Sequence, residues 1–170
     1  MNDHIIEESG MAFVVVPEDT YRIEKEPYVQ KSLPGMTCCE FITLNSDKDL
    51  VFVEAKTSFS NPDNKKDYNK NFDEIFDKVK DSISVFNSLL LRHQGLDEWG
   101  RIPNHLREID LTNVIYKIYI VIKKHKDEWL VPLQNDAPSK FKTILHMWNI
   151  PQKNLKLINE DMARQLHLIE

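Results

Sequence analysis

Glu40, Glu54 and Lys56 are the residues of this 170-residue chain whose types and spacing best suit chemistry. The run Leu50-Val51-Phe52-Val53-Glu54-Ala55-Lys56 reads as a strand that turns polar at its end. Alternate strand residues share a face. Glu54 and Lys56 therefore point one way, while Val51, Val53 and Ala55 point the other way into a core. Glu40 lies in an earlier predicted strand, Met36 to Leu44, separated from the first by the polar turn Asn45-Ser46-Asp47-Lys48-Asp49. A hairpin centred on position 47 sets Glu40 opposite Glu54. Two converging carboxylates repel unless positive charge lies between them. Mg²⁺ or Mn²⁺ suits such hard oxygen ligands, polarises a phosphate and lowers the pKa of a bound water. Lys56 would orient that water or offset charge on the phosphoryl oxygens. The plainer alternative is an ion pair of Glu54 with Lys56 or a neighbour on an exposed strand edge, worth at most about 1 kcal/mol.

The elements that must position these residues follow from periodicity. Met11 to Val16, closed by Pro17, reads as a strand. Residues 18–35 suggest a hairpin arm or a short irregular helix. Phe72, Ile75, Phe76, Val79, Ile83, Phe86 and Leu90 recur at steps of three and four, which predicts a long helix over 67–92. Residues 96–112 form a connection with a short helix near His105. Val114 to Ile122 is apolar almost throughout, as a strand buried on both faces would be. A helix is expected over 138–148, stopped by Pro151, then a short strand over 155–158. Asn159 before Glu160-Asp161 reads as the N-cap of a last helix. The order implies an α/β chain, a small mixed β-sheet flanked by helices, with parallel pairing across the long helix.

Glu40 followed by Glu54-Ala55-Lys56-Thr57-Ser58, with a helix and a buried strand after it, resembles the PD-(D/E)XK nuclease superfamily. The resemblance covers about residues 36–124, leaves 125–170 as a helical and strand extension of one domain, and implies a restriction-endonuclease-like core. It implies that Glu40, Glu54 and the Ala55 carbonyl hold Mg²⁺ (or Mn²⁺), with Lys56 assisting the attacking water. The family's first acid is usually Asp, and here it is glutamate. Its core opens with a helix that often lends another glutamate. No clean helix precedes residue 36, so Glu7, Glu8, Glu24 and Glu26 are all candidates. The implied activity is metal-dependent hydrolysis of DNA or RNA, alone or as a subunit of a nucleic-acid-processing or defence complex. The alternative is a non-catalytic module of the same fold that binds protein or nucleic acid.

Composition narrows the classes. Nothing approaches about 18 consecutive apolar residues, so no membrane helix is expected. The acidic Met1-Asn2-Asp3-His4 start does not read as a signal peptide. Adjacent Cys38 and Cys39 are poorly placed to bridge each other, which points to a reducing, cytoplasmic setting. Net charge is −5, unevenly spread. Residues 1–56 hold 5 Lys/Arg against 11 Asp/Glu, and residues 101–157 hold 10 against 5. An acidic site beside a basic surface fits that asymmetry, as do two solvated faces. Lys123-Lys124-His125-Lys126 could meet a phosphate backbone. Of Trp99, Trp129 and Trp148, at least two are expected to pack rather than stack on bases. A homodimer or further protein subunits would enlarge the surface for a duplex.

Overall fold

The structure, a computed structural model, describes residues 4–46 and 48–170. The chain opens with a hairpin of β1 (His4–Glu8) and β2 (Met11–Val15), turned at Ser9 and Gly10, both at positive φ. A 3-10 turn (Pro17–Asp19), the short strand β3 (Thr20–Tyr21), a second 3-10 turn (Ile23–Lys25) and α1 (Pro27–Ser32) follow. Next come β4 (Phe41–Leu44), β5 (Asp49–Lys56) and the long α2 (Lys65–Leu90). Two short helices, α3 (Leu96–Gly100) and α4 (Asn104–Arg107), lead to β6 (Ile115–Ile122). The chain continues through α5 (Asp127–Lys140), α6 (Lys142–Met147), β7 (Leu155–Asn159) and α7 (Glu160–Gln165).

One mixed sheet runs in the order β3-β4-β5-β6-β7. β4 and β5 form the expected antiparallel hairpin, with Phe41 opposite Val53. Asn45 N–H bonds Asp49 O across the turn, of which Asp47 lies outside the described residues. β6 runs parallel to β5 and β7 parallel to β6, as strands joined by helical crossovers do. The structure is thus α/β, a small mixed sheet flanked by helices.

Period-two alternation divides β5 between two cores. Leu50 and Phe52 face α2, α5 and α6, while Val51, Val53 and Ala55 face the β1–β2 hairpin, Ala163 of α7 and the tail residues Leu168 and Ile169. α2 supplies Phe72, Ile75, Val79, Ile83 and Phe86 to the first core, all wholly buried. Phe76, at the edge of that stripe, is half-buried and meets Phe141 edge-on at 5.8 Å. Phe52 sits between Tyr116, stacked at 5.7 Å, and Phe86, edge-on at 6.4 Å. The Tyr116 hydroxyl donates to Asn87 Oδ1 at 3.0 Å, so no polar atom of that buried pair goes unmatched.

Several boundaries differ from the sequence reading. Residues 36–40 are irregular rather than strand, because backbone groups there bond to α2 instead of β5. Thr37 N–H donates to Asp81 Oδ2 at 3.0 Å and Cys39 N–H to Ser82 Oγ at 2.7 Å. β1 was unexpected, since its five residues show no clean alternation. Region 127–148 holds two helices where one over 138–148 was expected. Pro132 and Pro138 hide α5, but Leu130, Leu133 and Ala137 bury against the sheet and override them. Asn159 caps α7 as expected, accepting from Met162 N–H. Cys38 and Cys39 are both free and buried. No helix among the described residues is long and apolar enough to cross a membrane.

Ile83→Ala should cost about 2–5 kcal/mol in urea unfolding, the range for opening such a cavity. Ile83→Asp buries an unpaired charge and should abolish the cooperative thermal transition. A wild-type-like melt for Ile83→Asp would contradict the packing of α2 on the sheet.

Candidate functional site

Glu54 is the next-to-last residue of β5 and continues the face of Leu50 and Phe52, so it points under α2 and is only 1% exposed. A carboxylate there needs a partner. α2 supplies one: Lys78 Nζ stands 2.9 Å from Glu54 Oε1. The same ammonium lies 3.8 Å from a carboxylate oxygen of Glu40 and 3.8 Å from one of Glu24. Glu40 sits just before β4, in line to oppose Glu54 if the ladder ran one pair further. Glu24 comes from the second 3-10 turn, which buried Ile23 anchors in the core. Glu8, the last residue of β1, completes the group. One oxygen each from Glu8, Glu24 and Glu40 lie within 4.8 Å of one another.

The hairpin that carries Glu8 is fixed to the end of the sheet. Ser9 Oγ donates to Ala55 O at 3.0 Å, and Lys123 Nζ donates to Gly10 O at 2.7 Å. Glu8 is paired by Arg22, and Lys25 lies 3.8 Å from Glu8 and 3.3 Å from Glu24.

Burial first, then the neighbouring Glu24 and Glu54 carboxylates, push Glu40 up to about 8. Its Oε2 is buried without a hydrogen-bond partner. A proton there would turn an orphaned acceptor into a donor facing Glu24. Burial works against ionisation of Glu24 too, but proton sharing with Glu40 and the Lys78 and Lys25 charges hold it below the ordinary value. Burial raises Glu54 to about 7, against the pull of Lys78. Burial alone would depress Lys78, yet Glu54, Glu40 and Glu24 together hold it above the usual lysine value, firmly charged. With Glu40 protonated, the carboxylates of Glu8, Glu24 and Glu54 face the cations Arg22, Lys25 and Lys78, and the site is close to neutral.

The sequence reading put Glu40 and Glu54 together, and the structure brings them to one lysine. Lys78 lies outside the apolar stripe of α2, among other charged residues, and the spacing of the acids alone does not single it out. The signal was helical position: Glu74, Lys78 and Asp81 lie on one flank of α2, beside its apolar stripe. Lys56 points with Glu54 but pairs with Glu74 at 3.2 Å rather than with Glu54. The Ala55 carbonyl carries the Ser9 hydroxyl bond. Of the four N-terminal acids left open, Glu8 and Glu24 reach the site, Glu26 pairs with Arg101 at 2.8 Å, and Glu7 is exposed on β1. Lys56 and Lys78 both line an open cleft of about 680 Å³, walled by Pro34–Thr37 and by Glu74, Asp77 and Asp81 of α2. No family model, curated protein or solved structure matches the chain.

Glu40 and Glu54 hold their protons more tightly in the fold than in the unfolded chain. The folded state holds protons that the unfolded chain releases near pH 4.5, so these groups favour folding below that pH. Their contribution is lost as pH rises through about 7 to 8. In a chelator, the wild-type melting temperature should fall between pH 5.5 and 8.5. Glu40→Gln should flatten the fall and be more stable at pH 8.5, by about 1–2 kcal/mol or roughly 2–8 °C. An unchanged slope in Glu40→Gln would contradict this account of the cluster.

Proposed function

We propose that the chain is a metal-dependent nuclease of the PD-(D/E)XK type, with a restriction-endonuclease-like core, hydrolysing a phosphodiester of DNA or RNA with Mg²⁺ or Mn²⁺. The observation that carries this reading is the convergence of Glu8, Glu24 and Glu40, from three separate chain segments, beside Glu54 and a lysine-lined cleft. Oxygens sharing an octahedral Mg²⁺ are about 3.0–4.2 Å apart, given ligand distances of about 2.1 Å. A trio within 4.8 Å needs little closing to fit, and the orphaned Glu40 Oε2 is a ready ligand atom. Glu40, Glu24 and Glu8 would hold the ion; Glu54 joins them through Lys78, and the Ala55 carbonyl would be free to take part only on giving up the Ser9 hydroxyl. When bound, the metal supplies Lewis-acid polarisation of the phosphoryl group and a water of lowered pKa. The chain's own residues do the rest. Lys78 offsets charge on the phosphoryl oxygens, and Glu54 keeps its ammonium in place. Lys56, steadied by Glu74, orients the attacking water at the mouth of the cleft.

One observation favours a second reading, a binding module of the same fold. Lys78 already neutralises the acids without any metal, as a purely structural network would.

Calorimetric titration with Mn²⁺ and a cleavage assay on DNA and RNA separate the two. Wild type should bind the ion and cut. Glu40→Ala should lose both, Glu54→Ala should lose cleavage, and Glu40→Asp should retain them in part. Lys56→Ala should keep metal binding while cleavage falls about 10²–10³-fold, the cost of removing one charge-stabilising group. Equal cutting by wild type and Glu40→Ala would place the activity elsewhere. A folded wild type that neither binds metal nor cuts would leave the binding module.

A further inference from the structure

A second cleft, of about 310 Å³, opens where the chain leaves the parallel strands β5 and β6. One wall is the loop after Lys56, Phe59 to Asp63. The other is the start of α5, with His125, Glu128, Trp129 and Pro132. In open α/β sheets, crevices outside the carboxyl ends of the strands are where ligands bind. The walls are fixed. Ser60 N–H donates to Asn71 Oδ1 at 2.8 Å, and Asn159 Nδ2 donates to His125 O at 2.9 Å. Phe59 packs edge-on against Phe72 at 5.0 Å.

Trp129 differs from the other tryptophans. Trp148 packs on Tyr116 at 5.5 Å, and the Arg92 and Arg107 guanidinium groups lie over the Trp99 ring at 4.2 and 4.6 Å. Trp129 is 44% exposed and lies at the cleft, edge-on to His125 at 5.4 Å. Burial lowers the His125 pKa, so its ring is neutral at pH 7. The lining contains two carboxylates, Asp63 and Glu128, and neither lysine nor arginine. Such a cleft repels a phosphate but suits a flat, uncharged heterocycle whose N–H groups donate to carboxylates, as base edges do. Charge that would hold a phosphate lies outside it. Lys65, Lys66, Lys124 and Lys126, close in sequence to the lining residues, are exposed, and Lys126 Nζ lies over one face of the Trp129 ring, 4.9 Å from its centroid, which leaves the other face for a base. Ser60 is four residues from Lys56, so the cleft begins no more than about 14 Å from it, a few nucleotides along a strand.

We propose that this cleft takes an unstacked nucleobase, so that the nucleic acid bound beside the acid cluster is single-stranded or locally unpaired. The inference rests on the nuclease reading for the identity of the polymer, and its test is independent of cleavage. Full-length protein in a chelator is titrated into fluorescein-labelled 12-mers: single-stranded DNA, the same sequence as RNA, and the matched DNA duplex. At least one single strand should bind about tenfold tighter than the duplex. Trp129→Ala should weaken single-strand binding about tenfold or more, and Trp129→Phe should restore most of it, as stacking on an aromatic face requires. The DNA and RNA arms identify which polymer is held. Equal affinity for duplex and single strand, or a folded Trp129→Ala protein that binds as wild type does, overturns the proposal. Single-strand binding through Trp129 by a protein that cuts neither DNA nor RNA once Mn²⁺ replaces the chelator supports the base cleft and removes the nuclease. Duplex cutting with Mn²⁺ that Trp129→Ala leaves unchanged keeps the nuclease and removes the base cleft.

Discussion

Lys78 reaches from the side of an open cleft to meet Glu54 at 2.9 Å, across the seam between the long helix and the central hairpin, where the carboxylate is shut off from water. The carboxylate does not tolerate that place alone. An isolated buried charge costs several kcal/mol, and a pair repays the cost only when geometry and further hydrogen bonds are good. The pairing therefore constrains more than two side chains. It sets the rotation of α2 about its axis, since Lys78 must turn to the sheet edge while Phe72, Ile75 and Val79 enter the core. It also draws Glu40 and Glu24, each 3.8 Å from the ammonium, toward the mouth of β4 and β5.

More acid is gathered here than one lysine can balance. Arg22 and Lys25 take part of the excess on the Glu8 and Glu24 side, and a proton on Glu40 takes the rest. Conformational stability alone would be served as well by apolar residues of similar volume. Carboxylates with shifted pKa values also gather at functional sites, and the proposed metal site would exchange the Glu40 proton for a stronger cation. The surroundings differ in chemistry: the cleft at the acids carries lysines and carboxylates together, and the aromatic cleft beyond the end of the same strand carries two carboxylates and neither lysine nor arginine.

The hairpin, the long helix and the buried strand were legible because each carries an unambiguous period. The register around the 45–49 turn followed from the same pattern, but the ladder stops one pair short of Glu40 and Glu54, which meet only through Lys78. Two kinds of feature were hidden. α5 was masked by Pro132 and Pro138, whose local penalty is outweighed by tertiary burial of Leu130 and Leu133. Lys78, Glu8 and Glu24 were hidden because their role depends on three-dimensional convergence. Glu8 sits on a strand without clean alternation, Glu24 on a 3-10 turn, and Lys78 on a helix flank rich in other charges. Lys56 illustrates the converse: the tripeptide placed its side chain on the right face, but Glu74 on α2 decides where its ammonium rests.

In the proposed cation site, the place of the ion among these glutamates is shared by Lys78 and a proton. Crystals grown with Mn²⁺ at about pH 8, with data collected for anomalous scattering of manganese, test it most directly. The account predicts a single strong peak bounded by Glu8, Glu24 and Glu40, with Lys78 Nζ drawn back toward Glu54. No peak at that cluster, with Lys78 still spanning Glu24, Glu40 and Glu54, would contradict it.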